Sequence, residues 1–532
     1  MDEIKRKSSE RLQKNEVIRR SRDKKVKVEE TTNCFTMDVA AHIDKLPDDI
    51  LLLIFRKLPH LNRLSLEFVC KRWRKLARKF VWADVKMLRL SQWTPQKHKV
   101  NKIIERAGKY LRELCLEEIK WQKILNQLTK MPNLQHISLC GKGDVMLEHQ
   151  HIISIAQCFP NLLSLNLWKC LKFENGSNPS QNSSDAISEL LSKCDAIEYL
   201  SLCRATNIGT VLFEPTVLPP KLAFLETDDT FDLQAMFKIA NEKCRNIRCL
   251  SLQFLKPTIP SLDFVHEDTL KRLVHLELDF HKTPQASFFE NFVKTSLGFL
   301  ANLRILRLAK VTGEALLAVI DRCPNLEDLG YSAYNIDILA AFLSLSRLKN
   351  LRFLVIRHYG KVLQQISTQK CVKCYENCDE TFVGRSLKQI AQNGKLEFLS
   401  LNFAISVGLM CKLVRECKCL TSLFCPIVRY QPLASLCQCL TELNQQMNKS
   451  SERVDAVQQR KRTLNISVNF EKSRTMSHPF IHFLHTPDFG SDVVRQNFEQ
   501  LFTKMPSFLC EQPETIDDYY DDDDEEEMDQ NE

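Results

Sequence analysis

The sequence predicts an α/β chain: a short helical module at the N-terminus, then a long curved solenoid of leucine-spaced repeats with a parallel sheet on its concave face. Three observations predict it. The block from Ile43 to Ala77 carries apolar residues at helical spacing on more than one face. After it the core Leu-x-x-Leu-x-Leu recurs twelve times, up to about residue 425. Four cysteines stand at one fixed place relative to that core.

In the N-terminal block, Leu46, Ile50, Ile54 and Leu58 fall at i, i+4, i+8 and i+12, one stripe of a helix. Pro47 suits a first helical turn, and Pro59 stops the helix. Val69, Cys70 and Trp73 make a second stripe, and Trp82 follows. So few residues cannot bury that much apolar surface alone, so the block needs a partner surface. A helical hairpin capping the repeats is the other reading. The block resembles the F-box: Leu46-Pro47, an apolar helix from Ile50 to Leu58-Pro59, then Val69-Cys70-Lys71-Arg72-Trp73 and Trp82. The resemblance implies docking on the Skp adaptor of cullin–RING (SCF) ubiquitin ligases. Leu46, Pro47, Ile50, Ile54, Leu58, Pro59, Val69, Cys70, Trp73 and Trp82 would be the contact residues.

The repeat cores begin at Leu111, Leu134, Leu162, Ile197, Leu222, Ile247, Leu273, Leu303, Leu326, Leu351, Leu396 and Leu420. Each unit predicts a short strand and a helix that can bury its apolar face only against neighbours. Cys194, Cys244, Cys323 and Cys417 each stand three residues before a core, where a small buried apolar group fits between helix end and strand. The pattern resembles the leucine-rich repeats of the cysteine-containing type often joined to F-boxes.

Two gaps interrupt it. Phe173–Asp185 is Ser/Asn-rich and reads as a flexible loop. The second gap holds Cys371, Cys374 and Cys378, whose Cys-x2-Cys pair has zinc-ligand spacing. A site there needs a fourth ligand, with His358 the nearest upstream candidate; three reduced thiols in a loop is the competing reading. Thr463–Phe470 alternates like a last strand, and Val493–Phe502 has the spacing of a capping helix. The expected organisation is therefore a basic tail (1–40), the F-box (41–85), the solenoid (86–470, with insertions near 171–186 and 358–395), a cap (471–510) and an acidic tail (511–532).

The net charge of +8 hides segregation. Residues 511–532 carry thirteen Asp or Glu and no Lys or Arg, and they read as a disordered tail that screens a basic body. Residues 56–80 carry nine Lys or Arg and one acid, Glu67, which reads as a solvated face. The run Arg19–Lys27 has the composition of a nuclear import signal. The charged N-terminus lacks an apolar core of signal-peptide type, and no apolar run reaches the roughly 18 residues of a membrane span. Nucleus or cytoplasm is the expected compartment, and there the 21 cysteines stay reduced.

No catalytic or phosphate-binding motif is found, so neither an enzymatic role nor a cofactor is expected. The resemblance implies a non-catalytic subunit that holds a protein substrate near ubiquitin-transfer machinery. Strand alternation puts the third, fifth and seventh core positions on the concave face. Acids dominate there, and Tyr199, Phe224, Glu226, Asp228, Glu277 and Asp279 form the candidate substrate site for a basic, partly apolar segment. A nuclear scaffold that binds the Skp adaptor without delivering substrates is the alternative. Nucleic-acid binding ranks lower, because no aromatic-interleaved basic module is present.

Overall fold

The computed structural model describes residues 43–91, 99–117, 122–140, 147–167, 170, 181–203, 217–255, 261–280, 286–333, 343–358, 382–401 and 407–424, apart from residues 44, 148, 418 and 421, together with 464–467 and 481–482. The chain divides into two compact units, residues 1–58 and 59–532.

The first unit contributes helix α1 (Asp48–Arg56). Pro47 is its N-cap, one position earlier than the first-turn place the sequence suggests. Asp48 and Asp49 in the first turn and Arg56 in the last complement the helix dipole. Leu51 and Phe55, four apart, form its buried stripe.

The second unit opens with α2 (His60–Arg63), a 3-10 turn (Leu64–Phe68) and α3 (Lys71–Phe80). Among the described residues fifteen strands follow: β1 (Met87–Ser91), β2 (Glu113–Glu117), β3 (His136–Cys140), β4 (Ser164–Asn166), β5 (Tyr199–Leu202), β6 (Phe224–Asp228), β7 (Cys249–Phe254), β8 (His275–Phe280), β9 (Ile305–Val311), β10 (Asp328–Ala333), β11 (Phe353–His358), β12 (Phe398–Leu401), β13 (Ser422–Phe424), β14 (Leu464–Ser467) and β15 (Ile481–His482). They form one parallel sheet in sequence order, the arrangement of an α/β repeat solenoid.

The stack holds three more strands than there are repeat cores. The first extra unit is Val85-x-x-Leu88-x-Leu90, where valine replaces the leading leucine. The second is β14, inside the alternating run from Thr463. The third, β15, lies where a cap was expected.

The repeat leucines explain the stack. Leu114, Leu116, Leu165, Leu200, Leu250, Leu276 and Leu306, with Ile137 at the equivalent place in β3, are buried in one continuous core with helix residues such as Ile104, Ile155, Leu190, Phe237 and Leu316. Residues between them face the opposite side of the sheet, where Ile305, Phe353 and Phe398 form a separate small cluster.

Lateral hydrogen bonds repeat with the same period. The Lys86 carbonyl accepts from the N–H groups of Arg112 (2.7 Å) and Glu113 (3.0 Å), and the Arg112 carbonyl from Gln135 (2.8 Å) and His136 (3.0 Å). The pattern continues to Arg352, whose carbonyl accepts from Glu397 and Phe398. Asparagines just before the cores add a second link: Asn133 donates to the Lys109 carbonyl (2.6 Å), Asn302 to Lys271 (2.9 Å) and Asn325 to Ala301 (3.0 Å).

The four repeat cysteines are buried at helix ends, as the spacing suggests. Two of their thiols also bond: Cys194 donates to the Phe159 carbonyl (3.4 Å) and Cys244 to that of Pro219 (3.3 Å), each in the preceding repeat. Burial pushes the Cys194 thiol up to about 11 and those of Cys244 and Cys323 to about 12.

The polar run from Phe173 is not loop throughout. A helix spans Gln181–Lys193, because Ser183, Ser184 and Asp185 suit a first helical turn as well as a loop. A helix at Phe382–Gln392 likewise occupies the end of the second gap. Cys371, Cys374, Cys378, Val493–Phe502 and both charged tails lie outside the described residues. No helix among the described residues is long and apolar enough to cross a membrane.

Thiol chemistry tests this packing. Among the described cysteines only Cys70 and Cys419 are exposed. In the native protein a maleimide should label these two fast, whereas Cys194, Cys244, Cys323 and Cys417 should react only after unfolding. Peptide mass mapping at timed intervals reads the order. Early labelling of the four repeat thiols contradicts the packing.

Candidate functional site

Two surfaces carry the sequence-predicted site residues. The first is the N-terminal block. On α1, Ile50 and Ile54 are exposed on one face, as a partner-binding stripe requires, while Leu46 and Leu58 at its ends are half-buried. Leu53 is more exposed than either, at 59 %. The i, i+4 stripe skips it, although i+3 spacing from Ile50 places it on the same face.

In the second unit, Pro59 and Cys70 are exposed and Trp73 is half-buried. Val69 is 59 % exposed and Phe68, beside it, 76 %. Helical spacing does not single out Phe68, which belongs to a 3-10 turn with no helical stripe. Cys70 is the N-cap of α3: its backbone is extended, and its sulfur accepts the Trp73 N–H at 3.4 Å. That hydrogen bond gives the Cys-x-x-Trp spacing a local cause.

Trp82 corrects the reading of this block. It is 1 % exposed and packs in the core with Leu64, Val85 and Leu88, so it cannot touch an adaptor. Its large apolar body is consumed in joining the helices to the first strand.

The basic run also differs from a solvated face. Arg63 is buried and donates to the Val81 carbonyl (2.7 Å) and, in a bidentate pair, to Asp84 (2.7 and 3.1 Å). Glu67 is buried and accepts from Arg78 (2.7 Å) and from Arg106 (2.9 and 3.2 Å). Arg106 lies on α4 (Val100–Ala107), the first helix of the repeats, so Glu67 ties α3 to the solenoid. Burial alone would raise the Glu67 carboxyl, but the hydrogen bonds from Arg106 and Arg78 outweigh it and hold it below the usual carboxylate range.

The second surface is the sheet face opposite the helices. Register places Tyr199, Phe224, Cys249, His275 and Ile305 in one row across β5–β9. The next row is Ser201, Glu226, Ser251, Glu277 and Arg307. Glu226 and Glu277 are therefore two strands apart, about 10 Å.

Tyr199 stacks on Phe224 with centroids 4.6 Å apart, and Phe224 meets the His275 ring edge-on at 6.1 Å. The Tyr199 hydroxyl donates to Glu226 at 3.4 Å. Both aromatic rings are buried, so they floor the acidic patch and offer little of the apolar contact expected of them.

Burial and the neighbouring charge of Glu226 push the Glu277 carboxyl up to about 7. Burial also raises Glu226, against the hydrogen bond from Tyr199. Burial, followed by the charge of Arg307, lowers His275 to about 3, so that ring stays neutral.

Asp228 does not join this patch. It is buried, and its carboxylate accepts from the N–H (3.0 Å) and hydroxyl of Thr230. Asp328 is buried against Arg307 at 2.8 Å. Gly330 makes room for that pair, since a Cβ there would strike the Arg307 side chain. The accessible acids at the centre are thus Glu226, Glu277 and Asp279, fewer than strand alternation alone implies.

Among the described residues no group of three or more His, Cys, Asp or Glu is placed to hold a metal ion. Residues 43–87 match the F-box-like family. Domains of that family typically bind Skp-type adaptors and are generally non-catalytic. No curated protein matches the chain.

Two variants test these electrostatics. Glu67→Ala should destabilise the second unit by about 1–3 kcal/mol, since two arginines lose their acceptor but can partly rehydrate. Urea unfolding measures it, and a change under about 0.5 kcal/mol contradicts the tie.

Glu277→Gln tests the sheet face. The folded carboxyl lies above its unfolded value, so the folded state binds the extra proton between roughly pH 4.5 and 7 and wild-type stability falls as pH rises through that window. The variant should match wild type below about pH 4.5 and exceed it above pH 7. The gain should be about 1 kcal/mol, because a side chain 39 % exposed is screened by solvent. Equal midpoints at pH 8 contradict the assignment.

Proposed function

We propose that this chain is the substrate-recognition subunit of an SCF-type cullin–RING ubiquitin ligase. The observation that carries the reading is the exposure of Ile50, Leu53, Ile54, Phe68 and Val69 within the segment that matches the F-box-like family. Apolar groups of that size left in water mark a partner surface. The adaptor would cover those on α1 and, separately, Phe68 and Val69 before α3, while Cys70 and Trp73 shape the start of that helix. The solenoid is of the leucine-rich-repeat type, supported by the buried repeat leucines and by the recurring helix-end cysteines. It would present the protein substrate to ubiquitin transfer carried out on other subunits, and it needs no cofactor. The substrate segment carries Lys or Arg, because Glu226, Glu277 and Asp279 gather on the sheet face of a body that is otherwise net basic.

Leu53→Ala combined with Ile54→Ala should lose the Skp adaptor, since truncating central interface side chains costs roughly 2 kcal/mol or more. Both side chains are exposed, so folding should survive. Adaptor co-purification at wild-type levels overturns the F-box role.

Glu226→Lys with Glu277→Lys should abolish substrate capture while adaptor binding persists. Affinity purification with and without proteasome and cullin-activation inhibitors supplies the readout. Proteins that accumulate only under inhibition, and only on wild type, are the expected substrates. Partners indifferent to the inhibitors favour a scaffold instead.

A further inference from the structure

The edge of the sheet where the strands begin carries a row of side chains whose order follows from the lateral hydrogen bonds. Its late part runs Arg304, Glu327, Arg352, Glu397. There the charges neutralise one another: Arg304 donates to Glu327 at 2.6 Å, Arg352 to Glu397 at 2.7 and 3.0 Å, and Arg352 also lies 3.7 Å from Glu327. The early part runs Lys86, Arg112, Gln135. It has no such alternation.

A cleft of about 390 Å³ opens at this early part, lined among others by Lys86, Lys109, Tyr110, Arg112, Asn133 and Gln135, with no carboxylate among the described residues of its wall. The ammonium groups of Lys86 and Lys109 stand 5.5 and 4.8 Å from the Tyr110 ring, which gathers both on one aromatic plate. Lys86 also donates to the Ala83 carbonyl at 2.7 Å. All three cations are exposed. The ring and carbonyl that hold the lysines are neutral, whereas the same row pairs its later arginines with glutamates.

We infer that this cleft binds an acidic peptide segment, and that its occupant is residues 511–532 of the same chain. The charges complement each other: thirteen Asp or Glu and no Lys or Arg in the segment, three cations and no acid among the described residues lining the cleft. The chain can reach. Strands lie about 4.8 Å apart, so β15 is about 60 Å along the stack from β2. The 28 residues between His482 and Glu511 span up to about 95 Å when extended. Tethering makes the encounter intramolecular, so modest ion pairs suffice. Arg112 and the two lysines take carboxylates of the segment, and the amide side chains of the wall supply further polar contact. The occupied edge then presents negative charge to other molecules, and an acidic partner has to displace the segment to enter. This goes beyond the proposed ligase role and does not depend on it.

Zero-length carbodiimide crosslinking of the full chain, read by peptide mass mapping, tests it. At low salt, carboxylates of residues 511–532 should join Lys86 and Lys109 within one monomer. The links should vanish near 1 M salt, where the Debye length is about 3 Å. Arg112→Glu leaves both reactive lysines in place, yet it should reduce the links several-fold. Links unchanged in that variant overturn the inference. So do links spread evenly over surface lysines, links between two molecules, which would make a second copy the occupant, or an absence of links.

Discussion

The structure rests on one constraint: no repeat can satisfy its own strand or bury its own leucines. A strand of two to seven residues leaves both edges open and one face apolar. Each unit therefore leans on its neighbours through three devices that recur with the repeat. Leucines fill a shared core, one carbonyl accepts two N–H groups of the next strand, and an asparagine or a cysteine at the helix end reaches a carbonyl of the preceding unit. The last device explains the cysteines better than size alone. A thiol is small enough for the helix end, stays protonated when buried, and still donates a weak hydrogen bond.

A stack of this kind orders side chains in rows, so electrostatics becomes a matter of register. A carboxylate has neighbours one and two strands away at about 5 and 10 Å, within or close to the screening length at physiological salt. Where register places opposite charges side by side, as with Arg304, Glu327, Arg352 and Glu397, the row is internally neutral. Where it places Glu226 and Glu277 two strands apart with serine between, burial raises both carboxyls, the charge of Glu226 adds to the rise at Glu277, and a cation brought to the patch favours their ionised forms. Tyr199, stacked on Phe224, holds Glu226 from below through its hydroxyl.

The N-terminal block uses charge differently. A run of nine cations survives next to a folded core because two of its members, Arg63 and Arg78, and the later Arg106 are held by the acids Asp84 and Glu67. Once those pairs and Trp82 have knit α3 to the first repeats, apolar residues such as Phe68 and Val69 have no place inside and stay in water. Their exposure follows from what the core has already taken.

Much of this was legible in the residues themselves. Hydrophobic period alone implied the helix at Asp48–Arg56, thirteen of the fifteen strands and the burial of four cysteines, because each depends on spacing within a few residues. The same locality explains the misses. Strand β1 follows Val85 and β15 holds two residues, so neither matches a leucine template, and the helix from Gln181 hides in a polar run. What a lone sequence does not contain is which of two plausible environments a side chain meets. Trp82 and Trp73 look alike in a motif, yet one is core and the other borders a surface. Asp228 and Asp279 hold the same core position, yet it is Asp228 that Thr230 captures. Glu67 reads as a lone acid among bases until Arg106, 39 residues later, is folded against it. Those outcomes depend on long-range packing and register, and only the tertiary structure decides them.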